Sequence, residues 1–404
     1  MTSVELTERP TGWPVGTAPA DYVLGNVRAV LPDTIIEDAR VVVRSGRIAA
    51  VEPRPAGSAA DIDGAGMLCV PGLIDVHSDA LERERAPRPS ALLPWDFAVA
   101  SLEAKLRAAA ITTVFHGAGF QQKNAGGVQR SATAAFELCD AVAARSAALA
   151  PLVDHRVLFR LDARSAGGAQ ALADALASHP VTAGTMPLVS HEDHTPGQGQ
   201  YADRRAMERY LAGADGLTEE QARQQVDGLI AEREQYLPVL ERNLAWLGEL
   251  AGAGRIRLVG HDPDSPESIV ALRERGGSVA EFPTTVPAAR TARDLGFPIV
   301  MGAPNVLRGE SHSGNVSGRE LVGLGLVTAL ASDYLPSGLL AGAFTLARNG
   351  LTTLPAAIGL VTSGAAAAAG LSDRGRLAAG LRADLALVDD AGPWPVVRGT
   401  YRAA

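Results

Sequence analysis

VPGLIDVHSD, residues 70–79, decides how the rest of the chain is read. An apolar run from Val70 to Val76 ends in His77 and Asp79. In a strand, side chains at i and i+2 point to the same side. One short strand can therefore aim an imidazole and a carboxylate at a common point, and these two groups are the usual ligands of borderline divalent ions. Taken alone, the pair reads equally well as a histidine hydrogen-bonded at a strand end. Its neighbours along the chain make it a ligand pair.

Downstream, short apolar segments alternate with helical ones, the pattern of a parallel sheet. Eight strands are expected: Met67–His77, Thr112–Gly117, Arg156–Asp162, Thr185–Ser190, Ile256–Gly260, Gly277–Phe282, Ile299–Gly302 and Val327–Ser332. Eight such strands with crossover helices close into an α/β fold, the (β/α)8-type barrel. Upstream, Tyr22–Val30, Asp38–Arg44 and Arg47–Val51 read as strands split by turn residues such as Pro32-Asp33 and Ser45-Gly46. Asp384–Asp389 and Trp394–Tyr401 read alike. Both chain ends are expected to pair into a small β-sandwich domain, since termini often lie close together. The organisation is then a flexible leader (1–20), the first part of the β domain (21–66), the barrel (67–372) with a helical insertion at about 201–254, and the second part of the β domain (373–404).

Bulk composition fits this. The 404 residues are 47% hydrophobic and 20% charged, enough to build a large core. The net charge of −8, with no basic block, excludes a nucleic-acid or anionic-membrane surface. Cys69 and Cys139 lie in unrelated contexts, and no secretory signal or long apolar span is visible, so a cytoplasmic protein is expected. A small, anionic molecule is the expected partner, and a homo-oligomer is compatible with the insertion.

Barrel enzymes place their sites at the C-terminal ends of the strands. There the sequence offers Asp162, then His191, Glu192, Asp193 and His194, then His261-Asp262, and finally Asp333. His77, Asp79, His194, His261 and Asp333 are the expected metal ligands, with His116, His191 and Glu192 as secondary candidates for metal binding or proton transfer. So many donors exceed one ion's need, and one or two divalent ions (Zn, Mn, Fe or Ni) are expected. The only lysines, Lys105 and Lys123, do not fall at strand ends, so a carboxylated lysine bridge has no candidate and Asp162 takes that place. His155 and His179 precede strands and read as ordinary surface residues.

Two loops offer anion donors. MGAPNVLRGESHSGNVSG, residues 301–318, carries Asn305, Arg308, His312, Ser313 and Asn315, with Gly309 and Gly314 permitting close backbone approach. LERERAPRP, residues 81–89, carries Arg83, Arg85 and Arg88 just after the first ligand pair. Arg83, Arg88 and the five polar residues of the later loop are the expected substrate contacts.

At this point the blocks HSDALERERAPRP, DHTPGQ, AEFPTT, MGAPNVLRGESHSGN and SDYLPSGLLAGAF can be weighed together. With PGLIDVHSD, they resemble the amidohydrolase superfamily. Within it they resemble the α-D-ribose 1-methylphosphonate 5-triphosphate diphosphatases of the carbon–phosphorus lyase pathway, over about residues 22–390. The resemblance implies a barrel, divalent metals, no organic cofactor, and hydrolysis of a ribosyl phosphonate triphosphate with release of pyrophosphate. It implies His77, Asp79, His194, His261 and Asp333 as the metal site and the His312 loop in substrate recognition; Asp333, at the end of the last strand, is the expected general base. The chain departs from the family pattern at His116 (Asp there), at His191-Glu192 (Leu-Met) and at Asp162 (Glu). Two other readings stand beside it: hydrolysis or deamination of a C–N bond in a cyclic amide or amidine, favoured by His116 and His191, and a non-catalytic barrel binding protein.

Overall fold

The computed structural model describes residues 18–403 apart from 89, 122, 126–127, 149–150, 180, 182–184 and 312. Residues 1–17 of the expected leader, and His312, therefore lie outside the described residues. In chain order the strands are β1 (Tyr22–Val30), β2 (Ile35–Arg44), β3 (Arg47–Pro53), β4 (Ile62–Asp63), β5 (Leu68–Pro71), β6 (Leu73–Ser78), β7 (Ile111–Phe120), β8 (Lys123–Ala125), β9 (Val128–Arg130), β10 (Asp154–Asp162), β11 (Leu188–Glu192), β12 (Arg257–His261), β13 (Val279–Glu281), β14 (Ile299–Gly302), β15 (Ala329–Ala331), β16 (Leu385–Asp389) and β17 (Val396–Tyr401).

Eight of them form a parallel sheet in the order β15-β14-β13-β12-β11-β10-β7-β6, the barrel that the sequence implied. The two chain ends meet in a separate seven-stranded sheet, β17-β16-β5-β1-β2-β3 with β4 on β1. That sheet has its own core, including Leu24, Val41, Ile48, Cys69 and Leu385. β8 and β9 form a hairpin.

The expected strand Met67–His77 is in fact two strands, one in each sheet. β5 pairs with β1 and β16, and β6 pairs with β7. The break is Gly72, whose N–H donates to the Asp384 carbonyl of the small sheet at 2.7 Å. A Cβ there would stand 2.3 Å from Thr112 Oγ1, so the chain passes from one sheet to the other only where there is no side chain.

Alternation then sorts the barrel residues. Ile74, Phe115, Leu158, Leu188, Val259, Val279, Val300 and Ala329 point inward and pack on the alanine-rich helix Ser363–Ala369. Leu73, Val114, Phe120, Phe159 and Ile299 point outward into the helical layer. Each large side chain so buried contributes roughly 1.5–3 kcal/mol. The barrel closes where Asp333 N donates to His77 O at 2.9 Å and Asp79 N donates to Asp333 O at 2.6 Å. Buried Asp75 clips the same seam, accepting from Ser332 N at 2.9 Å and from its hydroxyl.

The expected insertion holds three helices, Arg204–Asp215, Glu219–Glu234 and Leu237–Gly252. The third packs Leu247 and Leu250 into the outer core and is the barrel's own crossover, so the added material is shorter than the sequence suggested. Among the described residues no helix is long and apolar enough to cross a membrane.

Gly72→Ala is expected to destabilise the fold by about 1–3 kcal/mol through overpacking against Thr112. Gly213→Ala, in a helix with open space around it, should be neutral or slightly stabilising. Urea unfolding of the two variants checks this; equal midpoints would remove Gly72 as the steric hinge.

Candidate metal centre

A single irregularity in β6 aims the first pair. Against β7, Asp75 opposes Val114 and Ser78 opposes His116, so three steps on β6 match two on β7. This is a β-bulge, the device that re-aims a side chain beside a functional site. Before it, Ile74 and Val76 face the barrel interior. After it, His77 and Asp79 do, while Asp75 and Ser78 turn to the seam and Ser332.

His77 and His261 are oriented by one carboxylate. His77 Nδ1 lies 2.8 Å from Glu281 Oε1, and His261 Nδ1 lies 2.7 Å from Glu281 Oε2. A carboxylate accepts only, so each imidazole places its proton on Nδ1 when neutral and presents Nε2 as a ligand. The Phe282 ring packs against both imidazoles, 5.1 and 5.4 Å between centroids. Phe282, Asp262 and Asp333 follow their strands with φ of 54°, 51° and 55°. A left-handed backbone at bulky Phe282 is unusual, and strain of this kind gathers at functional sites.

Among the described residues, Glu192 Oε1, His194 Nε2 and Asp262 Oδ2 are buried at the barrel mouth without hydrogen-bond partners. Asp262 Oδ2 lies 3.3 Å from His261 Nε2 and 3.5 Å from His194 Nε2. Ligand atoms of Glu192, His194 and His261 lie within 4.8 Å of one another, as do those of His77, Asp79 and Asp333. Buried orphan atoms are costly unless an ion or water satisfies them. The imidazole and carboxylate donors here fit a divalent ion.

Charge shapes the site. Arg160, on β10, donates from Nη1 to both oxygens of Asp79 and from Nε and Nη2 to Glu192 Oε2. Against the upward pull of burial, Arg160 holds the Glu192 carboxyl well below its usual range, and Arg160 with Arg130 does the same for Asp79. Burial first, and the Asp79 charge second, push the Asp333 carboxyl up to about 6. Burial disfavours the His77 imidazolium, but Glu281 outweighs it and holds the group up to about 10.

The structure thus brings together His77, Asp79, His194, His261 and Asp333, with Glu192 from the secondary set. Three expected residues lie elsewhere. Asp162 is held by Arg233 of the helix Glu219–Glu234 in a two-pronged ion pair of 2.7 and 2.8 Å, and takes no part in the cluster. His116 faces outward because its neighbour Gly117 faces in; its Nε2 lies 2.9 Å from His155 Nδ1, and His155 Nε2 lies 3.1 Å from Glu103 Oε1. His155, expected at the surface, is therefore buried. His191 is outward by the same alternation, between Ser190, which reaches Glu281, and Glu192. Burial and then Arg275 lower its pKa to about 4.

Beside the centre is an open cleft lined by Asp262, Phe282, Asn305, Arg308, Asn315 and Asp333, among others. Asn305 braces its own loop, donating to Val316 O and accepting from Gly318 N. Asn315 donates to Gln200 O, and Gln200 Nε2 donates to Ser313 Oγ, so these two residues tie the loop to the Gly199–Tyr201 turn. Arg83 stacks over the Tyr334 ring, 4.9 Å away, at the cleft's edge, whereas Arg88 is exposed and does not line it. The sequence reading missed Arg160 and Glu281. Glu281 sits in AEFPTT, where an acid in an apolar strand end was the available signal; Arg160, an inward cation two residues before Asp162, left none.

No protein-family model matches the chain. The α-D-ribose 1-methylphosphonate 5-triphosphate diphosphatase of Escherichia coli (strain K12) is 33% identical over 367 residues, covering 90% of this chain and 94% of that protein. Among solved structures, N-acetyl-D-glucosamine-6-phosphate deacetylase from Mycobacterium smegmatis superposes with a TM-score of 0.58 at 16% identity, over 94% of this chain and 98% of that one. An enamidase described as a member of the amidohydrolase superfamily superposes with a TM-score of 0.54 at 15% identity, over 95% and 94%. The structural likenesses carry the fold, shared with the deacetylase and the enamidase, and the sequence likeness carries the kinship: the chain belongs to the family of the α-D-ribose 1-methylphosphonate 5-triphosphate diphosphatases.

Proposed function

We propose that the chain cleaves a phosphoanhydride of a ribosyl phosphonate triphosphate, releasing pyrophosphate and leaving a 5-phosphate. One observation carries this reading: Arg308 lines the same cleft as Asp262 and Asp333, so a cation stands beside the acids of the metal centre. A polyphosphate needs such a cation, and a neutral cyclic amide does not. The name of the Escherichia coli relative supports the same substrate class.

His77, Asp79, Glu192, His194, His261 and Asp333 are the residues proposed to hold divalent metal. A divalent ion held there supplies Lewis-acid polarisation of a phosphoryl oxygen and makes water more acidic. Asp333, at the end of the last barrel strand beside His77 and Asp79, accepts the proton of the attacking water. The water oxygen bonds to the α-phosphorus, the bond to the bridging oxygen breaks, and pyrophosphate leaves with that electron pair. Arg308 stabilises the charge that develops on the departing group. Glu281 keeps both imidazoles in the ligating tautomer throughout.

Cleavage of a C–N bond loses its specific support, since His116 and His191 both face away from the centre.

Asp333→Asn is expected to stay folded and lose about 10²–10⁴-fold in kcat/KM. Arg308→Ala is expected to lose about 10²–10³-fold, the typical effect of one removed donor. The readout is pyrophosphate release from the ribosyl phosphonate triphosphate, run beside a panel of cyclic amides. Turnover of an amide with no pyrophosphate release would reverse the assignment. Glu281→Gln should weaken divalent-ion affinity by about 10–100-fold, as loss of an orienting carboxylate does. Calorimetry with Zn(II) measures it, and unchanged affinity would mean that Glu281 does not set the ligand tautomers.

A further inference from the structure

The ligand imidazoles at the barrel mouth are aimed by different means. His77 and His261 each hydrogen-bond Glu281 through Nδ1, at 2.8 and 2.7 Å. Among the described residues no carboxylate hydrogen-bonds the His194 ring, whose Nε2 is buried without a partner and stands 3.5 Å from Asp262 Oδ2. A ligand imidazole that lacks an orienting carboxylate takes its aim from the backbone that carries it. That backbone is pinned on both sides of His194. The Asp193 carboxylate accepts from Thr195 N at 3.1 Å and from the Thr195 hydroxyl, an Asx turn with His194 at its apex. A turn closed only by its own side chain is a weak constraint.

Arg233 strengthens it. Its Nε donates to Thr195 Oγ1 and its Nη2 to Asp193 Oδ1, both at 2.9 Å, so one planar guanidinium spans the two residues that flank His194. The same group is anchored on the barrel: Nη1 and Nη2 donate to the two oxygens of Asp162 at 2.7 and 2.8 Å. Arg164 closes the network, donating from Nε to Asp193 Oδ2 at 2.6 Å and from Nη1 to Arg233 O at 2.8 Å. The four charged side chains are 16% exposed or less, so salt screens these pairs little. Arg233 lies in the last turn of the inserted helix Glu219–Glu234, 38 positions after Thr195. The insertion has a separate tie of its own: Arg204 donates to Glu208 at 3.0 Å and to Asp227 at 2.7 Å, joining the two inserted helices to each other.

We propose that Arg233 is a positioning residue for His194, so that the inserted helix, through one guanidinium bonded to both neighbours of the ligand, sets where the third imidazole of the metal centre points. This rests on the metal-dependent reading above and deepens it.

The first readout needs no metal. Hydrogen–deuterium exchange over residues 188–200 is followed in metal-stripped full-length protein. Arg233→Met, uncharged and flexible, should speed exchange there by about tenfold or more, as loss of a local constraint does. Arg204→Met, which removes a more exposed pair of the same insertion, should leave it within about twofold. The second readout is Zn(II) affinity by calorimetry. Arg233→Met should weaken it by about tenfold or more, the lower end of the loss when a group behind a metal ligand is removed. Arg204→Met should again stay within about twofold. Arg233→Lys keeps the charge but not the fork, and should behave like Arg233→Met. Full recovery in Arg233→Lys would overturn the proposal, since charge alone would then suffice. Unchanged exchange and affinity in Arg233→Met, with circular dichroism intact, would overturn it and leave the hydrolase reading standing. Equal losses in Arg204→Met would overturn it by assigning the effect to the insertion at large. An unmodified protein that binds no Zn(II) would overturn both readings. If Arg233→Met fails to fold, Arg233→Lys and Arg204→Met still decide the matter.

Discussion

The seam between β6 and β15 is the constraint on which the rest depends. Two backbone hydrogen bonds, from Asp333 N to His77 O and from Asp79 N to Asp333 O, close the barrel at the point where the first and last functional residues leave their strands. Barrel closure and the meeting of His77 with Asp333 are thus one event. Asp75 makes the seam specific: its carboxylate is buried and spends its acceptors on Ser332, which a slip of register would leave unsatisfied. The bulge in β6 follows from the same arrangement, because the residues before it must fill the core and those after it must reach the mouth.

Above the seam, the mouth concentrates acids in a poorly solvated space. Asp79, Glu192, Asp262, Glu281 and Asp333 stand close together, and each is compensated differently. Glu281 is shared by two imidazoles, Asp79 and Glu192 by one guanidinium, and Asp262 lies beside the His194 and His261 imidazoles. Buried charge persists only when paired or coordinated. The pairings fix the aim of these groups, and the atoms they leave unpartnered, Glu192 Oε1, His194 Nε2 and Asp262 Oδ2, stand together at the mouth. The added helix Glu219–Glu234 joins the same network from outside, with Arg233 holding both Asp162 and Asp193 beside the His194 loop.

Much of this was legible from sequence where local patterning carries the information. The alternation of apolar strands and helical segments indicated an eight-stranded barrel, and the i, i+2 spacing in VPGLIDVHSD paired His77 with Asp79. The errors fall where facing matters. His116 and His191 share strand ends with inward residues but stand one position off, and a period of two sends them to the helical layer. Asp162 lies at a strand end too, yet its partner Arg233 comes from 71 residues away, and no local pattern announces it.

The amino-acid sequence by itself determined the fold class, the kinship and the imidazoles that meet at the mouth, because periodicity and strand-end chemistry are local properties. Only the tertiary structure decided which charged group each carboxylate faces. Those partners are brought in by folding: Arg160 on Asp79 and Glu192, Glu281 on two histidines, and Arg233 on Asp162. A carboxylate's chemistry is set by the charge nearest to it, and in a closed barrel that neighbour is supplied by another strand or helix rather than by the adjacent sequence.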